Sequence, residues 1–332
     1  MSVIKYPYTI GWGITNKCNL NCKHCNMDSD ESLYDELTFE EACKLIDEFK
    51  KFNIKNICFT GGEPFTRSDF LDICEYAISQ GIYVCVTSNG TLINDYMIDK
   101  HLYKFQLIRI SIDGVADEQH DYLRNMKGVY SKAIDTIKRL LRGGCNVGVV
   151  TCVSKLNIDN LDKIAENISN LGVKKWFLPL LSPSGRGKNI EDNTLTPIQV
   201  KEFIIKISKY KEKYGLEIGV DIPYAVLLLE TNSKNKELIY GNCAAAYTQI
   251  MIFSNGDISP CFAMKMKCGN VRSDSIYDIW NNNVVFKNFR DKSLIEGKCK
   301  SCQFLNRCGG GCRAVPYIKD NNYLGEDSVC WK

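Results

Sequence analysis

The sequence has few histidines, no long apolar run and almost no net charge. Only 3 of its 332 residues are histidine. No stretch reaches the roughly 18 apolar residues that a membrane-spanning helix needs. The opening residues, MSVIKYPYTIGWG, lack the apolar core of a secretory signal. Basic and acidic side chains number 42 and 39, without a basic block, so binding to nucleic acid is not indicated. We expect a cytoplasmic protein with neither a nucleic-acid nor a membrane partner.

Cysteine, in contrast, is abundant. The chain contains 17 cysteines, an odd number, in a long sequence without an export signal. Disulfides are rare in a reducing cytosol, so a disulfide framework fits this chain poorly. The cysteines therefore indicate metal binding.

Six short apolar segments alternate with longer amphipathic segments between residues 8 and 230. This rhythm predicts a parallel sheet, because parallel neighbouring strands need helical crossovers between them. In the fourth segment Ile108, Ile110 and Ile112 share one face, and the polar residues between them share the other. A polar inner row and an apolar outer row favour an α/β fold, a partial (β/α)6 TIM-like barrel. A doubly wound open sheet is the alternative.

The rhythm stops near residue 235, where cysteines become dense and glycine-rich turns such as CGGGC appear. We place a domain boundary in the polar stretch 231–242, between a barrel domain of residues 1–232 and a cysteine-rich domain of residues 233–332. The second domain has few apolar runs, so we expect metal to support its fold. In the first domain, polar residues gather at the carboxyl ends of the strands, where parallel βα folds bind ligands.

The first group of cysteines directly follows the first predicted strand. Cys18, Cys22 and Cys25 have the spacing C-x3-C-x2-C. A structural zinc site would need a fourth Cys or His, and none of the histidines has the usual spacing from this loop. A cubane iron–sulfur cluster held by three thiolates would leave one iron open, which is chemically useful.

Several motifs together resemble the radical S-adenosylmethionine (SAM) superfamily. They are the C-x3-C-x2-C loop, TGGEP at residues 60–64, the later SNG and SIDG motifs, and the six βα units in this order. The resemblance covers nearly the whole chain. It implies an enzyme whose open iron binds SAM and whose reduced [4Fe–4S] cluster cleaves SAM to a 5′-deoxyadenosyl radical. It also implies an electron donor such as flavodoxin or ferredoxin.

The resemblance implies nine positions that bind SAM. Gly61, Gly62 and Glu63 correspond to the segment that receives the methionine amino group, and Ser88 and Asn89 lie at the rim. The alternative for residues 88–90 is a simple turn. The full predicted set is Gly61, Gly62, Glu63, His24, Ser88, Asn89, Ser111, Asp113 and Arg124. No catalytic residue is predicted.

Four of these positions carry more specific expectations. His24 stands where family members have an aromatic residue against the adenine. Ser111 and Asp113 resemble ribose or carboxylate contacts. Arg124 is placed to pair with the methionine carboxylate, with a solvated surface position as the alternative.

The C-terminal part carries seven further cysteines in the pattern C-x12-G-x4-C, then C-x2-C-x5-C-x3-C, then a last cysteine. This pattern resembles the SPASM extension of the same superfamily, which holds two auxiliary [4Fe–4S] clusters. By the resemblance, one cluster is complete, with ligands Cys299, Cys302, Cys308 and Cys330. The other is one ligand short, with Cys243, Cys261 and Cys312. Its fourth ligand is Cys268, water or substrate. Two structural zinc sites are the alternative.

SPASM enzymes mostly modify ribosomally made peptides, so the resemblance implies a peptide substrate and a crosslink, thioether, epimerisation or oxidation as the outcome. Sulfatase maturases of this branch have an aspartate after the cysteine that corresponds to Cys261, whereas this chain has Phe262, which argues against that activity. The first strand starts close to residue 1, so we expect that either a separate protein presents the peptide or the substrate is something else. The alternatives are a radical SAM enzyme of cofactor or tetrapyrrole biosynthesis and a non-enzymatic iron–sulfur or zinc protein.

Overall fold

One mixed sheet runs through the described part of the chain. The computed structural model describes residues 5–30, 35–220, 223, 239–240 and 243–332. The strands of the sheet are ordered β11-β10-β9-β1-β2-β3-β4-β5-β6-β7-β8. Their bounds are β1 Thr9–Thr15, β2 Asn56–Gly61, β3 Tyr83–Ser88, β4 Leu107–Ser111, β5 Val147–Val150, β6 Lys175–Phe177, β7 Glu217–Val220, β8 Ile239–Tyr240, β9 Gln249–Ile252, β10 Asp257–Ser259 and β11 Gly269–Asn270.

Helices connect these strands. The α-helices within the described residues are α1 Phe39–Lys51, α2 Phe70–Ser79, α3 Asp95–Lys100, α4 Asp117–Arg124, α5 Val129–Arg142, α6 Leu161–Asn170, α7 Pro197–Ile207, α8 Tyr210–Tyr214, α9 Ile276–Asn282, α10 Val284–Arg290, α11 Leu305–Cys308 and α12 Ala314–Asp320. Among them, no helix has both the length and the apolar character needed to cross a membrane.

The strand order distinguishes the two folds that the sequence allowed. From β1 to β8 each strand pairs in parallel with the next one in the chain. A doubly wound sheet reverses its strand order at a switch point, and the run from β1 to β8 does not. Right-handed crossovers between consecutive strands place the helices on one face, so the sheet forms a barrel wall. The predicted α/β fold with a parallel sheet is confirmed. The structure adds two parallel strands, β7 and β8, that the sequence did not predict.

Local sequence explains where the connecting helices begin. Thr38 caps α1, because its hydroxyl accepts from the Glu41 amide at 3.2 Å while the Glu41 carboxylate accepts from the Thr38 amide at 2.8 Å. Inside the helix Leu45, Ile46 and Phe49 are buried. This spacing turns one stripe of α1 towards the sheet.

The core lies between the outer face of the sheet and these helices. Ile108 and Ile110 of β4 are both 0% exposed and belong to this core. On the inner face Ser111 and Asp113 are also buried, at 6% and 0% exposure. The predicted polar inner row therefore exists, and it lies inside the barrel wall.

The C-terminal segment continues the sheet on the other edge of β1. β9 pairs in parallel with β1, with Thr9 opposite Gln249. Trp280 and Phe286 are fully buried and belong to the same core as the barrel residues. The sequence analysis expected little core from this segment, and the structure corrects that expectation, because short strands and helices supply apolar residues without a long apolar run. The predicted boundary at 231–242 lies almost entirely outside the described residues.

The core position of β4 can be tested by one pair of matched substitutions. We expect Ile110→Ala to lower the free energy of unfolding by about 2–5 kcal/mol, because it leaves a cavity in the core. Ile198 of α7 is 67% exposed. Ile198→Ala should change the stability by less than about 0.5 kcal/mol. Urea denaturation followed by circular dichroism measures both, and equal losses would contradict the placement of Ile110.

Candidate functional site

The loop after β1 brings three thiols to one cavity. Cys18, Cys22 and Cys25, here called the N-terminal cysteine group, line a cavity of about 240 Å³. The amide of Cys18 donates to the Asp30 carbonyl at 2.6 Å. Arg186 holds the other end, because its Nε donates to the Cys22 carbonyl at 2.9 Å and its amide to the Cys25 carbonyl at 2.9 Å. Hydrogen bonds at both ends of the loop thus hold the three thiols at one cavity.

Most of the predicted SAM-binding residues line the same cavity. They are Gly61, Gly62, Glu63, His24, Ser88, Asn89, Ser111 and Arg124. Asp113 lies behind them, in contact with His24 and Arg124. The sequence analysis did not identify other lining residues, which include Thr60, Thr87, Val150, Cys152, Leu180, Ser182 and Arg186. Several of these lie at the carboxyl ends of strands, so the strand pattern could have indicated their position.

The two glycines of the GGEP motif allow β2 to approach the cysteine loop closely. Gly61 has a φ of +128°, and a Cβ there would overlap the Thr15 carbonyl. A Cβ on Gly62 would overlap the Lys17 carbonyl. Because both are glycine, the Gly62 amide donates to Thr15 at 2.8 Å and the Glu63 amide to Lys17 at 2.9 Å. These bonds fix the first turn of the cysteine loop against the end of β2.

Glu63 is buried and linked to the end of β3. Its carboxylate accepts from the Ser88 hydroxyl at 2.8 Å and from the Asn89 amide at 2.7 Å. Burial raises its pKa to about 7, although these donors and the Phe65 amide oppose the rise. The carboxyl group therefore changes charge near neutral pH. Ser88 and Asn89 line the cavity and also position Glu63.

Asp113 follows β4 and is fully buried. Its Oδ1 accepts from the Cys152 amide at 2.8 Å, and its Oδ2 pairs with Arg124 Nη2 at 2.6 Å. Burial raises the pKa of Asp113, but the charges of Arg124, His24 and His120 and the bond from the Cys152 amide together outweigh burial, and the pKa falls to about 2. Arg124 Nη1 also lies 3.8 Å from Cys22 Sγ. The buried ion pair thus holds a cation beside the N-terminal cysteine group. Arg124 is not the solvated surface residue of the alternative interpretation.

Two neutral histidines flank this ion pair. His24 Nε2 lies 3.6 Å from Asp113 Oδ2, and burial lowers the pKa of His24 to about 4. His120 Nδ1 accepts from the Asp113 amide at 2.9 Å, and burial lowers its pKa to about 4 as well. Among the described residues, His24 Nδ1 has no hydrogen-bond partner. His24 therefore offers a neutral ring edge to the cavity. His120 was not predicted.

Four C-terminal thiols surround a second, small cavity. Cys299, Cys302, Cys308 and Cys330 line it, and we call them the four-cysteine group. The Cys302 amide donates to the Cys299 carbonyl at 3.1 Å, which forms the tight turn of the C-x2-C motif. The structure brings together the same four residues that the resemblance assigned to the complete cluster.

The other three predicted ligands, Cys243, Cys261 and Cys312, are the three-cysteine group. Burial raises the pKa of Cys312, and the charges of Asp327, Cys243 and Cys261 raise it further, which places these thiols near one another. Cys268 differs from them. It is 9% exposed, and burial alone raises its pKa to about 12, without a contribution from another cysteine. The charges of the three-cysteine group thus do not contribute to the raised pKa of Cys268.

Asp327 connects the two C-terminal groups. Its Oδ2 accepts from the Cys312 amide at 2.8 Å, and its Oδ1 accepts from the Val329 amide at 2.9 Å. Its own amide bonds to the Cys299 thiol and opposes the rise that burial causes in the pKa of Cys299. One buried carboxylate thus joins a loop of each group, and sequence reasoning missed it.

Arg313 is a buried cation beside the four-cysteine group. It is 4% exposed, and its Nη2 donates to the carbonyl of Gly310. Its Nε and Nη1 have no hydrogen-bond partner within the described part of the chain. A buried charge needs an opposite charge nearby. The buried Asp327 supplies part of it, since the Arg313 charge opposes the rise that burial causes in the pKa of Asp327, and the anionic thiolates of a bound cluster would add to it. Its position directly after the last cysteine of C-x2-C-x5-C-x3-C is the signal that could have identified it.

Of the six remaining cysteines, three are buried, namely Cys74, Cys85 and Cys145. Cys74 and Cys145 are 0% and 6% exposed. Cys152 instead lines the first cavity. Within residues 5–30, 35–220 and 243–332, no three His, Cys, Asp or Glu side chains meet closely enough to hold a single metal ion. The thiols of the N-terminal and four-cysteine groups instead surround cavities.

A barrel-type parallel sheet with thiols at its carboxyl edge, joined to a second thiol-rich segment, defines an iron–sulfur enzyme. The family model of the radical SAM superfamily matches residues 12–169. The model of the SPASM iron–sulfur cluster-binding domain matches residues 243–303. The chain belongs to the radical SAM superfamily, in its SPASM branch, and its cofactors are SAM and [4Fe–4S] clusters.

Full-length relatives support this assignment. The AdoMet-dependent heme synthase of Oleidesulfovibrio alaskensis is 28% identical, over 97% of this chain and 86% of the relative. The mycofactocin maturase of Mycolicibacterium smegmatis is 27% identical, over 98% of this chain and 82% of the relative. The crystal structure of Streptococcus suis SuiB bound to its precursor peptide SuiA has the same fold, with a TM-score of 0.82 and 19% identity, over 99% of this chain and 77% of that one.

The close approach of β2 to the cysteine loop can be tested at Gly62. We expect Gly62→Ala to displace the loop and to remove roughly a third of the iron, since three cubane clusters would hold about twelve irons. The control is Gly13→Ala, whose Cβ would meet Met27 Cε at an ordinary 3.4 Å. Iron content per chain after anaerobic reconstitution measures both variants. Full iron content in Gly62→Ala would show that the close contact between β2 and the cysteine loop is not needed for iron binding.

Proposed function

We propose that this enzyme abstracts a hydrogen atom from a substrate carbon at the mouth of the barrel, and that its C-terminal cysteine groups would hold clusters able to accept the electron that the substrate radical loses when it is oxidised to product. One observation carries the proposal: the N-terminal cysteine group shares a cavity with eight of the predicted SAM-binding residues. When bound, SAM and the [4Fe–4S] cluster supply the 5′-deoxyadenosyl radical. The protein binds the cofactors, orients them and shields them from water.

Within this cavity we assign the charged ends of SAM to opposite sides. Glu63, once ionised, accepts from the amino group, with Gly61 and Gly62 leaving room for it. Arg124 receives the carboxylate, since its Nη1 already lies beside Cys22 while Asp113 holds its Nη2. The neutral ring of His24 lies against the adenine. Charge-assisted contacts at both ends would orient the sulfonium towards the cluster.

Glu63 makes SAM binding depend on pH. Because its pKa is about 7, the carboxyl group is protonated at lower pH and cannot accept the charged amino group. We expect the affinity for SAM to be about tenfold lower near pH 6 than near pH 8. Equilibrium dialysis of the reconstituted protein under anaerobic conditions measures it.

Glu63→Gln is the control for this dependence. The variant should bind SAM weakly at both pH values. Its affinity should then depend on pH only through the amino group of SAM, whose effect is smaller than that of Glu63 and opposite in direction. An unchanged pH profile in Glu63→Gln would argue against a direct contact between Glu63 and SAM.

The C-terminal groups would hold the two auxiliary clusters. The four-cysteine group supplies a complete set of thiolate ligands. The three-cysteine group supplies three, and its fourth ligand would be Cys268, water or substrate. Asp327 would fix the two clusters relative to each other through its bond to the Cys312 amide.

A peptide is the substrate class that we favour. The two arginines that line the first cavity are both paired within the protein, Arg124 with Asp113 at 2.6 Å and Arg186 with Asp28 at 3.3 Å. Because Arg124 is assigned to the SAM carboxylate and Arg186 pairs with Asp28, this lining offers no further arginine for a substrate with several carboxylates, and it suits a peptide better. The mycofactocin maturase, aligned over 98% of this chain, supports the same choice.

Phe262 bears on the kind of peptide chemistry. Its ring lies edge-on to Phe253 at 5.3 Å and close to Gly13 in β1. The residue after Cys261 is thus apolar and packed, where sulfatase maturases would have a carboxylate. This favours a peptide modification other than formylglycine formation.

An iron tetrapyrrole is the second candidate. It is favoured by the AdoMet-dependent heme synthase of O. alaskensis, whose identity to this chain is as high as that of the peptide maturase. The two candidates share the radical step and differ in the substrate that receives it.

One assay distinguishes the candidates. The reconstituted protein, SAM and dithionite are incubated with either a precursor peptide encoded beside the gene or iron coproporphyrin III, and 5′-deoxyadenosine is measured. We expect the peptide to increase the formation of 5′-deoxyadenosine. We also expect the mass of the peptide to change. Stimulation by the tetrapyrrole alone would replace the first candidate with the second. No 5′-deoxyadenosine from fully iron-loaded protein would overturn the radical function.

A further inference from the structure

Arg109 lies in the inner row of β4, beside residues that line the first cavity. It pairs in register with Thr87 of β3, and Ser111 follows two residues later on the same face of β4. Thr87 and Ser111 both line the cavity, whereas Arg109 lies outside its lining. On its other side Arg109 pairs with Gly148 of β5, which has no side chain. Arg109 thus lies inside the barrel wall, directly next to the cavity.

The side chain of Arg109 extends past Gly148 towards β6. Its Cζ lies 5.2 Å from the centre of the Phe177 ring. The same ring occupies the space next to Gly148, since a Cβ on that glycine would lie 3.2 Å from Phe177 Cε2. A guanidinium that rests on an aromatic ring still presents its N–H edge to other groups. The ring therefore supports the cation and leaves it able to donate hydrogen bonds.

No described group balances the charge of Arg109. The side chain is half-buried, and its Nε is buried without a hydrogen-bond partner among the described residues. In the same part of the chain, no ion pair joins Arg109 to a carboxylate. A cation that is partly withdrawn from water gains from an opposite charge at close range. The position of Arg109 therefore suits a bound anion.

A second cation of the inner row differs in this respect. Lys175 of β6 is the next residue of the row beyond Gly148, and it pairs in register with Glu217 of β7. Lys175 thus has a carboxylate beside it in the sheet. The register partners of Arg109 are Thr87 and Gly148, which carry no charge. Among the described strands, Arg109 is the inner-row cation without a neighbouring carboxylate.

The charged groups of the cofactors already have partners in the proposed arrangement. Glu63 receives the amino group of SAM, Arg124 receives its carboxylate, and the N-terminal cysteine group binds the cluster. The substrate is then the remaining source of an anion for Arg109. A carboxylate fits best, because a planar guanidinium can donate two parallel hydrogen bonds to its two oxygens.

We propose that Arg109 binds a carboxylate of the substrate inside the barrel and thereby holds the reacting carbon at the first cavity. The inference rests on the proposed function, which places that carbon at the mouth of the barrel. Two residues along a strand span about 6.6 Å, so the carboxylate would lie roughly that far from the level of Ser111. One guanidinium suits one carboxylate, supplied by an acidic side chain or the C-terminus of a peptide, or by a propionate of a tetrapyrrole.

Removing either member of this ion pair tests the contact. On the protein side, Arg109→Gln removes the charge, and Arg142→Gln makes the same change at an exposed arginine of α5. On the substrate side, each acidic residue of the precursor peptide encoded beside the gene is changed in turn to its amide, and the C-terminus is amidated. Fluorescence anisotropy of the labelled peptide, with SAM and without reductant, measures its affinity for the reconstituted protein independently of the radical step.

We expect Arg109→Gln to weaken peptide binding on the order of tenfold or more, since a hydrogen bond between charged groups is lost. One amide peptide should bind the wild type equally weakly. That peptide should lose nothing further with Arg109→Gln, because both changes remove the same contact. Arg142→Gln should bind the peptide like the wild type, and Arg109→Gln should keep the wild-type iron content and affinity for SAM.

Unchanged peptide affinity in Arg109→Gln would overturn the proposal. So would a loss of SAM affinity in this variant, which would assign Arg109 to the cofactor, or multiplied losses when the variant is combined with every amide peptide. If Arg109→Gln loses iron, the amide peptides decide with wild-type protein alone. Wild-type binding that no amide change weakens would then contradict the contact.

Iron coproporphyrin III distinguishes the two sources of the carboxylate. If wild-type protein binds it and not the peptide, weaker binding by Arg109→Gln would make a propionate the group that Arg109 holds, and equal binding would overturn the proposal. Failure of the proposed function is a different result. It would appear as substrate that binds normally to the wild type and yet gives no 5′-deoxyadenosine when dithionite is added.

Discussion

The site depends on a close backbone contact between the ends of β1 and β2. Gly61 and Gly62 lie so near the carbonyls of Thr15 and Lys17 that no side chain fits between them. This contact sets the direction of the chain as it leaves β1, and with it the position of the first thiol. It also sets the direction of Glu63, which bonds to the end of β3. The cysteine loop and the carboxylate thus share one cavity because two strands meet without side chains.

Buried charge is the second constraint on the molecule. Asp113 and Arg124 neutralise each other beneath the first cavity. Glu63 has no ion-pair partner among the described residues, and burial raises its pKa to about 7. Arg313 has two N–H groups without a described partner. The unbalanced charges thus lie where the cofactors are expected, which is consistent with a protein that completes its electrostatics by binding them.

Sequence reasoning identified the parts of the site that motifs encode. The cysteine spacings and GGEP pointed to residues that the structure brings together, because ligands of a cluster must follow one another within short loops. It did not identify Asp327 or Arg313, since their roles depend on contacts between loops that no spacing reveals. The parallel sheet followed from the alternation of helices and strands. β7 and β8 were missed because strands of four and two residues carry too little pattern. The SAM contacts and the cluster ligands stay predictions.

The pairing of β9 with β1 has a consequence for how the molecule is built. β1 lies between β2 and β9, so its backbone is hydrogen-bonded on both sides. If the C-terminal segment were absent, β1 would become an open edge that can pair with another chain. The two cysteine-rich regions are therefore joined through one sheet. The same strand that leads into the first cysteine loop also anchors the segment that carries the others.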